Sequence, residues 1–268
     1  MEHRVRAFSL VELSIVLVIL GLLTGGILGG QSLIRAAELR SFSNDLNRYV
    51  TANWTFRDKY FAMPGDMNNA TAFWGAQDSG DGLGTDCTNS SSSSAATCNG
   101  DGNGQICSNA MCYESHRYWQ HLANAALVEG NYTGIAMNTT NQSGSSPGIN
   151  APRLRLRNVT LQARDYGNVT GDAGIYDGSY FGLFFAGGIA CPTCNPHDPF
   201  LTTAEAWNID TKIDDGKPAL GRLRTFKYGN VTSYAATSAN CANSVTQSAA
   251  EYDLAREGLS CAMIYTFR

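Results

Sequence analysis

A chain of 268 residues of which 43% are apolar has material for one large folded domain or two small ones, which excludes a wholly disordered protein. Its 19 basic and 23 acidic residues leave a formal charge of -4, the wrong sign for a protein that coats nucleic acid over its whole surface. One nearly uncharged apolar stretch lies at the N-terminus and the remainder is polar and rich in glycine, so a polytopic membrane protein is excluded and a single anchor is not.

From Phe8 to Leu28 the only charge is Glu12, and a helix over this stretch spans about 31 Å, the thickness of a bilayer's hydrocarbon core. An ordinary secretory signal is cut beyond its apolar region. Here the basic leader, residues 1–7, ends in the small residue Ala7 directly before the apolar run, so a cut at that point leaves the run attached. Arg4 and Arg6 place the leader on the cytoplasmic side. A carboxylate inside a spanning helix costs about 2.5 to 3.5 kcal/mol on insertion scales, so Glu12 needs a cationic partner. Cleavage after Ala7 creates one, the α-amino group of Phe8, and no other positive charge is available at that depth. Made between neighbouring subunits, this pair neutralises both charges and sets an axial stagger.

The run Phe8-Ser9-Leu10-Val11-Glu12-Leu13, with the apolar stretch after it, resembles the N-terminal signature of the type IV pilin and type II secretion pseudopilin superfamily. The resemblance covers about the first thirty residues. It implies a prepilin peptidase that cuts between Ala7 and Phe8 and methylates the new terminus, and a role for Glu12 in adding the subunit to a filament. It also implies other pilin or pseudopilin subunits and an inner-membrane assembly platform as partners. The residue before the cut is usually Gly in that superfamily and here is Ala7, one methyl larger. The plainer alternative is a signal anchor that happens to contain a glutamate. Gly21, Gly25, Gly26, Gly29 and Gly30 build overlapping small-xxx-small patterns, which permit close helix packing in lipid and also weaken the helix by about 1 kcal/mol each.

Beyond Gln31 the apolar residues Ile34, Leu39, Phe42, Leu46, Tyr49 and Val50 recur at three and four, with Arg35, Glu38, Arg40, Asp45 and Arg48 opposite. The pattern predicts one helix running from the membrane to Tyr60 or Phe61 and ending before Pro64-Gly65. The expected organisation is a leader at 1–7, a transmembrane and assembly helix at 8–30, and an extracytoplasmic head at 31–268 that includes the amphipathic half of the helix.

Between Tyr60 and His116 there is no Lys or Arg, but there are Asp66, Asp78, Asp81, Asp86, Asp101 and Glu114. Within this acidic stretch Asn99-Gly100-Asp101-Gly102-Asn103-Gly104-Gln105-Ile106 alternates oxygen side chains with glycine as an EF-hand-type loop does. The twelfth position is Ala110, so the bidentate acid is missing there and Glu114 would have to replace it. Asn99, Asp101, Asn103 and Glu114 are one candidate Ca²⁺ set, and Asp210, Asp214 and Asp215 are a second, with solvated turns as the alternative for both.

Further along, residues 117–126 predict a short helix, and the alternation Arg153-Leu154-Arg155-Leu156-Arg157 predicts a half-buried strand continuing through Val159 and Leu161. Strands are also expected at 180–186, 222–228 and 261–267, with a helix capped by Thr203 and stopping before Gly216-Lys217-Pro218. A long helix followed by several strands is an α+β layer arrangement, and it is the pilin fold that the N-terminus implies.

Cys87, Cys98, Cys107, Cys112, Cys191, Cys194, Cys241 and Cys261 all follow the anchor, where an oxidising compartment makes disulfides the default. Sequence proximity favours pairing them consecutively, among the roughly one hundred connectivities that eight cysteines permit. The superfamily resemblance supports only the last pair, Cys241 with Cys261. Cys191-Pro192-Thr193-Cys194 has the form of a thioredoxin-like motif, but Asn195-Pro196-His197-Asp198-Pro199 cannot open the helix such chemistry needs. The histidines at 3, 116, 121 and 197 form no hydrolase grouping. The expectation is therefore a non-enzymatic, single-pass inner-membrane protein with a periplasmic or extracellular head. It would serve as a minor pilin or pseudopilin of a type IV pilus or type II secretion pseudopilus, with a membrane-anchored thiol-redox enzyme using Cys191 and Cys194 as the alternative.

Overall fold

The computed structural model describes residues 9–77, 96–106, 113–135, 145–156, 159–169, 178–187, 199–225, 241–244 and 246–267. Its first element, α1 (Leu10–Tyr60), is an unbroken helix of 51 residues, about 76 Å long. No proline occurs before Pro64, so nothing interrupts the backbone ladder. At the start Ser9 and Glu12 form a capping box: the Ser9 hydroxyl accepts from the Val11 amide (3.3 Å) and Glu12 Oε2 accepts from the Ser9 amide (2.9 Å). At the end Phe61 turns left-handed (φ 53°) and its amide donates to the Arg57 carbonyl at 2.9 Å.

The two halves of α1 differ in burial. Residues 10–29 are all exposed, and Ile34, expected on the packed face, is 64% exposed. Burial begins at Phe42 and recurs through Asp45, Leu46, Tyr49, Ala52, Asn53 and Phe56, a stripe at helical spacing. The amphipathic pattern therefore extends further towards the N-terminus in the sequence than the head reaches along the helix.

The head follows. After α1 come α2 (Ala70–Trp74) and α3 (Tyr113–Asn124), then the long hairpin of β1 (Val159–Val169) and β2 (Gly178–Gly187). Next are β3 (Leu201–Thr202), α4 (Thr203–Ile213), β4 (Leu223–Thr225), β5 (Leu259–Cys261) and β6 (Met263–Thr266). The main sheet has the order β1-β2-β6-β4, antiparallel throughout, and β3 pairs with β5 in a second, two-stranded sheet. This is the α+β, pilin-like arrangement expected from the sequence.

The helix stripe packs on this sheet and on α3. Phe42 meets Phe185 of β2 edge-on at 4.9 Å between ring centres, and Tyr49 meets Trp119 of α3 at 5.2 Å. In β2 the consecutive residues Leu183, Phe184 and Phe185 are all buried; since neighbours on a strand point to opposite faces, both sides of the strand are covered. Two buried hydrogen bonds tie these elements together: Tyr118 donates to Asn53 Oδ1 (3.1 Å), and the Ser115 hydroxyl donates to the Ala163 carbonyl of β1.

Four local expectations are corrected. The helix expected at 117–126 is α3, which begins a turn earlier at Tyr113. Residues 153–156 alternate in burial as expected, with Leu154 and Leu156 inside, but among the described residues they pair with no strand, and β1 is described from Val159. The cap of α4 is Thr202, whose side chain accepts from the Glu205 amide (3.3 Å) while Glu205 Oε2 accepts from the Thr202 amide (2.9 Å). Thr203 is instead buried, its hydroxyl 2.8 Å from that of Ser260. The C-terminal apolar run forms two short strands that join different sheets, separated at Ala262.

Candidate functional site

The N-terminal half of α1 is the first candidate. It is the one helix among the described residues long and apolar enough to cross a membrane, and none of its most apolar window is buried within the chain. Glu12 lies in the first turn of that helix, exposed, and among the described residues its Oε2 is held by the amide of its own capping residue, Ser9. Among the described residues, a Cβ added at Gly21, Gly25, Gly26, Gly29 or Gly30 would meet nothing within 4 Å beyond the helix's own backbone. Packing inside this molecule therefore does not explain five glycines, each of which costs the helix about 1 kcal/mol.

The acidic loop forms the second candidate. Asp66, Asp101 and Glu114 present carboxylate oxygens within 4.8 Å of one another. Asp66, in the turn after α1, is nearly buried and accepts from the Asn103 amide (3.0 Å) and the Gly104 amide (2.9 Å). Asp101 Oδ1 shares the Asn103 amide (3.0 Å), and Glu114 Oε1 takes the Asp101 amide (3.1 Å). Burial, reinforced by the neighbouring Asp101, pushes the Asp66 carboxyl up to about 6. The amide oxygens of Asn99 and Asn103 are engaged elsewhere, accepting from the Thr71 and Gln105 amides at 2.9 and 2.7 Å. The loop thus closes largely on its own backbone. Gly100 is required by contact, because a Cβ there would strike the Asp66 backbone.

His121, one turn before the end of α3, fastens this loop to the core. It is fully buried; Nδ1 accepts from the Gly65 amide (2.9 Å) and Nε2 faces the Cys98 carbonyl (3.1 Å). Burial pushes its pKa down to about 3, so the ring is neutral. With Nδ1 accepting, the proton sits on Nε2.

Asp210, Asp214 and Asp215, at the end of α4, form the third candidate, again with oxygens within 4.8 Å of one another. Asp210 is completely buried. Its Oδ2 accepts from the Tyr252 hydroxyl at 2.8 Å, and the carboxylate also receives a backbone hydrogen bond from Gly216. Burial, with Asp215 and Asp214 beside it, pushes this carboxyl up to about 7 against the opposing Tyr252 and Gly216 bonds. Asp214 Oδ2 accepts from the amides of Arg222 and Leu223, and Asp215 Oδ1 from the Lys217 amide at 2.8 Å.

Cys241 and Cys261 form a disulfide with Cα atoms 4.8 Å apart, joining the segment before the last turns to β5. Cys98 is also disulfide-bonded, to a partner outside the described residues. Ala7, Phe8, Cys87, Cys107, Cys112, Cys191, Cys194 and His197 lie outside them as well. The sequence reading did not single out Asp66 or Tyr252 as site residues. Nothing in their spacing signals the role, since each reaches its cluster from a distant part of the chain; for the cap of α4, expected at Thr203, the Thr-x-x-Glu pattern at 202–205 is the signal that points to Thr202 instead.

Comparison with curated proteins and with solved structures gave no match. Comparison with protein families gave one: residues 3–28 match the prokaryotic N-terminal methylation motif. With a single unburied apolar helix behind it, the N-terminus of this chain carries the type IV pilin and pseudopilin signature, which supports a pilin-like, membrane-anchored subunit.

Proposed function

We propose that the protein is a structural subunit, in a minor role, of a type IV pilus or type II secretion pseudopilus. It is inserted in the inner membrane with its leader inside, cut by a prepilin peptidase between Ala7 and Phe8, methylated, and assembled by packing of α1 against neighbouring subunits. The observation that carries this reading is the apolar half of α1, which overlaps the matched motif and is unburied by any of the described residues. The glycines at 21, 25, 26, 29 and 30 support it, because their small size permits close approach of another helix. The minor role is supported by the long glycine-rich, acidic stretch between Tyr60 and His116, which every interface of a major subunit would have to accommodate.

In the free chain Glu12 caps its own helix through the Ser9 amide. On assembly the same carboxylate turns to the Phe8 amine of a neighbour, exchanging a hydrogen bond for an ion pair in lipid. Two variants separate these roles. Glu12→Gln keeps a capping acceptor and removes the charge, whereas Glu12→Ala removes both. Both are expected to stay folded and membrane-held while their recovery in sheared filaments falls about tenfold or more, as loss of a buried ion pair predicts. Normal incorporation of Glu12→Gln would sink the charge-pair step.

A further inference from the structure

We propose that the base of the head rests on the bilayer from which α1 emerges, with Trp207 of α4 seated among the lipid headgroups as an interfacial anchor. This footing rests on the reading of the apolar half of α1 as a membrane span.

The placement follows from height along α1. The uncharged run ends at Leu28, and the headgroup layer beyond the hydrocarbon is about 5 to 7 Å thick on each side. Arg35 stands about 10 Å past Leu28. Residues 31–34 are exposed, so Arg35 is where the head first takes hold of the helix, through Glu205 at 2.6 Å and the Phe200 carbonyl at 3.3 Å. Glu205 lies in the first turn of α4. Two residues on, the Trp207 Cα is within about 5.5 Å of the Glu205 Cα whichever way the helix points. The indole thus sits at the level where headgroups end and water begins.

The chemistry of this base fits lipid. Leu33 and Ile34 of α1 are exposed, Trp207 is 41% exposed, and Leu259, paired with Thr202 at the cap of α4, is 58% exposed. Tryptophan suits such a boundary, having an apolar body and one N–H for a headgroup oxygen. The exposed residues of α4 are Ala204, Trp207, Asn208, Thr211 and Lys212, with no acid among them. Both carboxylates within α4 are turned inward, Glu205 to Arg35 and Asp210 to Tyr252. The exposed Asp215 comes only after the helix has ended, and the loop before Leu259 carries one charge of each sign, Arg256 and Glu257. The face therefore offers anionic lipid a cation and no repelling carboxylate.

The other three tryptophans lie far above this level. Trp54 is about 28 Å further along α1 than Arg35. Trp119 packs on Tyr49, about 21 Å further along, and Trp74 packs on Tyr60. Tryptophan emission in a bilayer therefore reports on Trp207.

The test places the full chain in vesicles of phosphatidylcholine and phosphatidylglycerol, with acyl chains brominated either near the headgroup or near the methyl end. Emission of the wild type is compared with that of Trp207→Phe, a change at an exposed side chain. Bromine near the headgroup should quench the share of emission that Trp207 supplies, bromine near the methyl end should quench it less, and Trp207→Phe should lose the quenching. Flotation of the vesicles after an alkaline wash checks α1 separately. A chain retained in the vesicles with Trp207 emission indifferent to bromine would overturn the footing and leave the span intact. Stronger quenching from the methyl end, or quenching that persists in Trp207→Phe, would overturn it too. So would Trp207 emission that follows the protein-to-lipid ratio and not bromine, which would assign the face to a second copy. A chain washed off the vesicles would overturn the span, and the footing with it.

Discussion

Arg35 and Glu205 form a two-pronged ion pair, Nε to Oε1 at 2.6 Å and Nη2 to Oε2 at 2.9 Å, across 170 residues of sequence. Arg35 lies at the boundary between the exposed and the packed halves of α1, and Glu205 closes the capping box of α4. The same guanidinium reaches the Phe200 carbonyl at 3.3 Å. One side chain therefore fixes where the head begins along the long helix, and with it how much helix is left free.

Disrupting this clasp is expected to loosen the head on its helix. The Arg35 side chain is 34% exposed and that of Glu205 18%, so solvent screens part of the attraction and Arg35→Ala should cost about 1 kcal/mol. In a double-mutant cycle with Glu205→Gln the coupling should be a substantial share of that. Burial alone would raise the Glu205 carboxyl, but the Arg35 and Thr202 hydrogen bonds hold it below the ordinary range. The contribution is therefore present above the unfolded carboxyl pKa and fades as pH falls through the folded value. Equal stability of wild type and Arg35→Ala at pH 7 would remove the clasp.

Gly65→Ala should be among the most damaging single changes in the head. Its backbone is left-handed (φ 87°), and a Cβ would strike the Glu114 carbonyl and lie 3.1 Å from the Tyr118 amide, both on the rigid α3. Because its amide also feeds His121, the strain cannot be relieved by shifting the turn alone. A loss of about 2 kcal/mol or more is expected in denaturant unfolding. A loss within 0.5 kcal/mol, the range of ordinary surface changes, would contradict the geometry.

Two buried groups give opposite pH slopes. His121 folds with its pKa pushed down to about 3, so the unfolded chain binds the extra proton between that value and about 6.5. Stability from this group falls as pH drops through that window. Asp210 is pushed up to about 7, so the folded chain holds the proton between about 4 and 7, and stability falls as pH rises there. The groups facing Asp210 are Tyr252 and the Asp214 and Asp215 carboxylates. Asp66, pushed up to about 6, adds a slope of the same sign below that value, so Asp210→Asn should remove the part of the second slope that Asp210 supplies, worth about 1.4 kcal/mol per pH unit at most, most visibly between about pH 6 and 7, and leave the first. An unchanged pH profile in Asp210→Asn would show that Asp210 titrates normally.

Removing the Cys241–Cys261 bond by paired Ser substitutions opens a loop with a sequence separation of 20. The chain-entropy estimate for such a loop is about 3 kcal/mol. Because Cys261 sits in β5 and pairs with Leu201 of β3, the two-stranded sheet and the cap of α4 should lose protection from hydrogen exchange before the main sheet does. Uniform loss over the whole head would contradict that order.

Much of this architecture is legible in the chain itself. Sustained three-and-four spacing without proline announces α1, and Pro64-Gly65 announces its end. The alternation at 153–156 is legible but misleading: Leu154 and Leu156 are buried, yet among the described residues no strand pairs with the segment. Where α1 stops packing, at Phe42 rather than Ile34, is set by the distant Arg35–Glu205 clasp and by Phe185 and Phe200, which local periodicity does not contain. The same holds for the carboxylate clusters. Asp66 joins Asp101 and Glu114 through the turn after α1, and Tyr252 reaches Asp210 from 42 residues away.

The central claim is that Phe8 becomes the first residue of a subunit whose free helix is made for assembly. Intact-mass and N-terminal peptide mass spectrometry on the protein from membranes of a host with a prepilin peptidase tests it most directly. The account predicts a terminus at Phe8 carrying one added methyl group, with the helix from Leu10 retained. A mature chain that still begins at Met1, or one cut beyond Leu28 so that the apolar helix is lost, would contradict it.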